Sequence, residues 1–216
     1  MKFLFSSLGK KIQVAVSGLL LCIFLLMHLV NNMALFVGPD VFNTMVKTLE
    51  SIKPIIRIME FGLLGIFLLH VINALQLTWH NNKVSPKQFA KINDSNSTIN
   101  SRTMAISGSV ILLFLVIHLG FVWLTYQTTE SHNYYQILLQ NKIGFLGHFP
   151  TSIFYIISIM AIGMHLRHGF QSALKTFGVL SKSKWGLLYN IAILFWGVIP
   201  VLFILIIISI QIGWIS

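Results

Sequence analysis

Acid is what this sequence most lacks. Five Asp and Glu stand against fifteen Lys and Arg in 216 residues, and all charged residues together make up 9%. A soluble domain carries roughly 25%, so this chain has too little charge to coat a water-facing surface. That excludes an ordinary soluble enzyme and a disordered, charge-rich tail. One cysteine, Cys22, excludes a disulfide scaffold. What is abundant is apolar: 56% of the residues are hydrophobic, and the mean hydropathy is +0.81. Histidine is the other excess, with eight against five acids. The net charge of +10 would suit nucleic acid on a soluble protein. In a chain this apolar it suits lipid headgroups and cytoplasmic loops instead, and no nucleic-acid partner is expected.

A hydrocarbon core of ~30 Å takes about 20 apolar helical residues to cross. Five stretches qualify: 12–36, 55–80, 103–127, 148–174 and 187–213. They predict an all-α integral membrane protein with one membrane domain, residues 1–216. Polar segments separate them, including Gly38-Pro39-Asp40 and the Asn-, Ser- and Lys-rich stretch from Asn81 to Asn100. Taking the N-terminus as cytoplasmic puts eleven Lys and Arg inside and four (Lys47, Lys53, Arg57, Lys142) outside. The excess of positive charge favours that orientation, with the C-terminus outside. The first apolar run outlasts a signal-peptide core and no A-x-A site follows it, so it reads as a span. Val41, Met45, Leu49 and Ile52 recur at helical spacing after it and predict a short interfacial helix.

Four histidines lie in the interior of four consecutive spans, one in each: His28, His70, His118 and His165; His80, His148 and His168 lie nearer span ends. An ionisable group in hydrocarbon is costly and marks a candidate functional site. At 1.5 Å per residue, His28 and His118 lie about 24 and 22 Å from the inner ends of their helices, and His70 and His165 about 15 and 14 Å. They group by depth into an outer pair and an inner pair. An internal repeat supports the outer pair. Ser17 to Leu29 (SGLLLCIFLLMHL) matches Ser107 to Leu119 (SGSVILLFLVIHL), with Ser, Gly, Phe, Leu, His and Leu coinciding. Gly18 and Gly108 either leave room for a bound group or serve close helix packing.

Two imidazoles from facing helices, twice over, suit bis-histidine haem, whose macrocycle fills the space between helices. Zinc takes three or four ligands clustered at one point. A proton relay in a membrane draws on Asp or Glu with His, and no carboxylate lies in a span near these histidines.

These motifs resemble the single-chain, five-helix, di-haem cytochrome b subunit of succinate:quinone oxidoreductases (succinate dehydrogenase or fumarate reductase). The resemblance runs over nearly the whole chain. It rests on Ser17-Gly18 to His28 followed by Leu29-Val30-Asn31-Asn32, on Glu60 to His70, on Ser107-Gly108 to His118, and on MHLRHGFQSALKTFG from Met164 to Gly178. In that last stretch His165, with Gly169 and Gly178, has the family's spacing, and His168 does not. The resemblance implies a five-helix bundle enclosing two b-type haems, with His70 and His165 on the haem nearer the cytoplasm and His28 and His118 on the distal one. It further implies a bacterial cytoplasmic membrane, a flavoprotein and an iron–sulfur protein on the cytoplasmic face, and menaquinone or ubiquinone as substrate. The chain itself would carry no succinate site. Some members have a proton-transferring glutamate two residues before the fourth ligand; here that residue is Gly163. Another quinone-linked di-haem cytochrome b and a non-haem transporter are the alternatives.

Haem propionates need cationic or hydrogen-bonding neighbours, for which Arg167, His168 and Lys175 are the candidates, interfacial anchoring being the other role open to them. An outer quinone pocket could draw on Glu60, Asn31, Trp123 and Tyr126, with Gln127 at similar depth; alternatively Glu60 pairs with Arg57 at the surface. His80, His132 and His148 read as interface, loop and structural residues. The last span, free of histidine and charge, reads as scaffold that Pro200 kinks.

Overall fold

The computed structural model describes residues 3–84, 99–179 and 185–216, and among these every regular element is helical. Most of the polar stretches Asn81 to Ser101 and Gly178 to Lys184, the surfaces the sequence offers to hydrophilic partners, lies outside the described residues, as do Lys2, Lys87, Lys91, Lys182 and Lys184.

Five helices are long and apolar enough to cross a membrane: span 1 (Ser7–Phe36), span 2 (Lys53–His80), span 3 (Thr103–Thr128), span 4 (Phe149–Thr176) and span 5 (Gly186–Gln211). Their flanks are exposed Leu, Ile, Phe and Met, which only hydrocarbon solvates without cost. Span 1 starts at Ser7 because the Ser6 hydroxyl accepts the Gly9 N–H at 3.1 Å, pairing one of the donors a helix start leaves open. It ends near Gly38, whose φ of +121° suits a residue without Cβ, and Pro39 then opens the next helix.

That helix, Pro39–Ser51, stands where a short helix is expected, but its packed face differs from the predicted stripe. Phe42 is the residue driven into the core, with Met45 and Val46 beside it, while Val41, Leu49 and Ile52 are exposed. A second short helix, Tyr134–Leu138, lies between spans 3 and 4 and buries Tyr134, Tyr135, Ile137 and Leu138. The two form a cap over one end of the bundle, pinned by the Tyr135 N–H donating to Asn43 Oδ1 at 2.9 Å. This capped end is opposite the end that carries Lys10 and Lys11.

The spans pack as two hairpins. Span 1 lies along span 2, span 3 lies along span 4, and spans 1 and 4 join the hairpins. Span 2 leans on span 1 through polar groups: Asn73, the one buried residue among its described side chains, donates to Gln13 Oε1 at 2.9 Å. Span 5 is scaffold that packs on its neighbouring helices. Ile199, Ile206, Ile207 and Ile210 on one of its faces are core residues, packed with span 4 and the cap. Ahead of Pro200 its helix widens into a π-type turn, Leu194–Val198. Proline cannot donate to the carbonyl four residues back and crowds it; the widened turn accommodates both effects. Gly163 of span 4 packs against this turn, where an added Cβ would lie 3.1 Å from the Trp196 carbonyl oxygen.

Candidate functional site

The four span histidines meet as two pairs. His28 of span 1 faces His118 of span 3, with ring centroids 5.9 Å apart and planes crossing at 80°. His70 of span 2 faces His165 of span 4 at 6.4 Å and 64°. Each hairpin therefore gives one ring to each pair. The His28/His118 pair lies toward the capped end and the His70/His165 pair toward the Lys10–Lys11 end.

The repeat explains how the rings are held. On span 1 the Ser17 hydroxyl lies 3.1 Å from His70 Nδ1, and the Val14 carbonyl lies 3.1 Å from the same nitrogen. Ser17 donates its own proton to the Gln13 carbonyl at 2.6 Å, so both groups facing His70 are acceptors. That fixes His70 with its proton on Nδ1 and a bare lone pair on Nε2. Span 3 repeats this with the Ser107 hydroxyl 3.2 Å from His165 Nδ1 and a bond to the Met104 backbone. The glycines follow. A Cβ on Gly18 would lie 3.2 Å from His70 Cε1, and one on Gly108 would lie 3.6 Å from His165 Cε1. Each Ser-Gly thus seats the histidine of the neighbouring helix in its own hairpin. The shared phenylalanines also have a role: Phe24 stacks on His28 and Phe114 on His118, both at 5.5 Å. All the coinciding residues of the repeat except its leucines touch a paired histidine.

A metal bonded at about 2 Å to one nitrogen of each of two opposed imidazoles holds the ring centroids roughly 6 Å apart. Both pairs have that spacing. Among the described residues no three His, Cys, Asp or Glu side chains gather at one point. Each pair could thus supply one nitrogen from each ring to a metal that brings its remaining ligands with it. A haem iron, already held by four macrocycle nitrogens, fits this donor set. A bare zinc ion does not.

No family model, no curated protein and no solved structure matches the chain. Its chemistry rests on its own side chains.

The quinone candidates separate. Glu60 and Trp123 come together, Trp123 Nε1 donating to Glu60 Oε1 at 3.0 Å. Arg57 completes the group: it donates to Glu60 Oε2 at 2.6 Å, lies over the Trp123 ring and donates to Gln127. Tyr126 instead donates to the Tyr134 carbonyl at 2.9 Å and belongs to the cap. Asn31 lines a shallow pocket with Thr44, Met45 and Thr48. An open apolar groove of about 530 Å³ runs between spans 1 and 2 along Gly62 and Gly65, with Ser17 and Gln13 as its polar residues.

Among the propionate candidates, the Arg167 guanidinium stacks over Trp196 at 5.3 Å, while His168 is half-buried and Lys175 exposed on span 4. His80 is exposed. His132 lies 3.8 Å from Glu50 in the cap. His148 opens span 4, with Nδ1 2.9 Å from the Thr151 hydroxyl.

One residue had no mark in the sequence. Tyr155 is buried on span 4, with its hydroxyl 3.3 Å from His118 Nδ1. A tyrosine ten residues before a histidine carries no periodic or motif signal.

Proposed function

We propose that this chain is the membrane-anchor cytochrome b subunit of a succinate:quinone oxidoreductase. In this reading His28 and His118 hold one b-type haem, and His70 and His165 hold a second, nearer the cytoplasm. Electrons pass between an iron–sulfur partner, itself reduced or oxidised by a flavoprotein, and menaquinone or ubiquinone in the membrane. The N-terminus is cytoplasmic, as the distribution of Lys and Arg favours, and the membrane is the bacterial cytoplasmic one.

The observation that carries this reading is the meeting of four histidines from four consecutive spans as two opposed pairs, 5.9 and 6.4 Å apart. Bound haem supplies one-electron redox chemistry at a potential set by its axial ligands and its burial. The chain's own residues do the rest. The Val14 carbonyl and the Ser17 and Ser107 hydroxyls hold Nδ1 protons, leaving Nε2 as the ligating nitrogen. Phe24, Phe114 and Phe203 pack on the outer pair and exclude water from it. Arg167, His168 and Lys175 are near enough to the inner end to meet propionates. Glu60, with Trp123, Asn31 and Tyr126 at similar depth, is the group available to quinone protons, and it is the one acid among them.

A reduced-minus-oxidised spectrum of the purified chain tests the haem reading: b-type bands from two haems per chain are expected, and their absence refutes it. Copurification separates this complex from other quinone-linked cytochromes. A flavoprotein with succinate or fumarate activity is expected, and a hydrogenase or nitrate reductase partner would overturn the assignment.

A further inference from the structure

The two histidines of the outer pair are held unequally. His28 has a stacked Phe24 and, at the long distance of 3.5 Å from Nε2, the amide of Asn32. His118 is braced from the capped end. Its Nδ1 lies 3.3 Å from the Tyr155 hydroxyl, and that hydroxyl donates at 3.5 Å to the Gly144 carbonyl. A His118 that ligates through Nε2 would carry its proton on Nδ1, and the Tyr155 hydroxyl oxygen is the group placed to accept it.

Gly144 is itself fixed. Its N–H donates to the Thr151 hydroxyl at 3.1 Å, and Thr151 is bonded to His148. Its φ of +95° suits glycine, and an added Cβ would overlap the Phe121 ring at 2.1 Å. Phe121 belongs to the widened turn Leu119–Trp123 that directly follows His118. The loop before span 4 thus bears on the His118 segment twice, through the Tyr155 hydroxyl and through the Phe121 ring. Tyr155 is 4% exposed, and its ring lies edge-on to Phe114, which in turn stacks on His118. Among the described residues, the first hairpin has no such brace. Ten residues before His70, where Tyr155 stands before His165, is Glu60, bonded to Arg57 and Trp123.

We infer that Tyr155 is a positioning residue for the outer pair, which sets the tautomer and ring orientation of His118 and links that ligand to the loop at Gly144. The inference rests on the haem reading. A partner that takes the Nδ1 proton makes an imidazole a more electron-rich ligand and favours the oxidised metal. Tyr155→Phe removes this partner and keeps the ring that packs the site.

The test is a redox titration of the purified protein, following both haem signals. In Tyr155→Phe, one of two midpoint potentials is expected to rise while the other stays, with haem content still two per chain. Unchanged potentials, or an equal shift of both, would overturn the inference. If Tyr155→Phe does not assemble, Thr151→Val serves: it frees Gly144 while leaving Tyr155 intact. A shift confined to one haem supports the brace, and unchanged potentials count against it. A wild-type chain without b-type absorbance would refute the haem reading itself, and this inference with it.

Discussion

Ser17 and His70 lie on different helices and meet at 3.1 Å, and Ser107 and His165 repeat the contact at 3.2 Å. A motif that looks, along the chain, like the approach to His28 and His118 is in three dimensions the seat of the other two histidines. One stretch of sequence therefore serves both pairs: its histidine belongs to the outer pair and its Ser-Gly to the inner.

The pairing makes a prediction that single substitutions cannot mimic. On the proposed haem reading, His70→Ala should remove about half the b-type absorbance. Adding His165→Ala should remove no more, because both belong to one pair. Adding His28→Ala should remove the rest. Haem-to-protein ratios of the three variants check this, and additive losses within a pair would refute it.

The two glycine seats differ in tightness. An added Cβ at Gly18 meets His70 Cε1 at 3.2 Å, closer than an ordinary contact, whereas at Gly108 the distance is 3.6 Å. Gly18→Ala should therefore displace its histidine and lower inner-haem occupancy, while Gly108→Ala should leave it near the wild-type level. Spectral quantitation of the two haems after purification decides between them.

Glu60 is bonded on both oxygens, to Arg57 and to Trp123. The Arg57–Glu60 pair is about one-third exposed on each side, and exposed pairs contribute about 0–1 kcal/mol. Glu60→Gln should leave both haems and thermal stability close to wild type. Its effect should appear in quinone-linked turnover; unchanged turnover would remove Glu60 from the proposed quinone chemistry.

Gly163 leaves little room for a side chain: an added Cβ would lie 3.1 Å from the Trp196 carbonyl oxygen and 3.5 Å from Pro200 of span 5. Forcing a larger residue into a packed site costs about 1–3 kcal/mol. Gly163→Glu should lower the unfolding temperature in detergent, and Gly163→Ala should do so less.

The cap has its own titration. Burial, with the Glu50 carboxylate beside it, pushes the Tyr134 hydroxyl up to about 12, above the ordinary value of about 10. The folded cap holds that proton more tightly than the unfolded chain does. Its contribution is complete below about pH 10 and is lost as pH rises through about 12. Tyrosinate absorbance should show one fewer late-titrating tyrosine in Tyr134→Phe than in the wild type.

The spans were legible in the sequence because length and hydropathy alone define them, and their observed bounds differ from the predicted ones by a few residues except at the start of span 1. That start lies five residues earlier, at Ser7, since a serine cap rather than hydrophobicity sets it. The depth grouping of the histidines needed only the helical rise. Tyr155 and the helix Tyr134–Leu138 were not legible: five residues are too few to show a period, and a tyrosine among apolar residues resembles core. The face of Pro39–Ser51 was read one residue off, because Phe42, the bulkiest side chain there, takes the buried position ahead of Val41. Pro200 was legible as a break, but a widened turn, rather than a simple kink, accommodates it.

Because each hairpin gives one ring to each pair, neither pair belongs to either half of the molecule. During synthesis the His28/His118 pair has both members once the third span has emerged from the ribosome. The His70/His165 pair waits for the fourth. A nascent chain stopped after its first two spans holds one member of each pair and no pair at all, so assembly cannot be checked one hairpin at a time, and the two pairs become available in a fixed order, the one toward the capped end first.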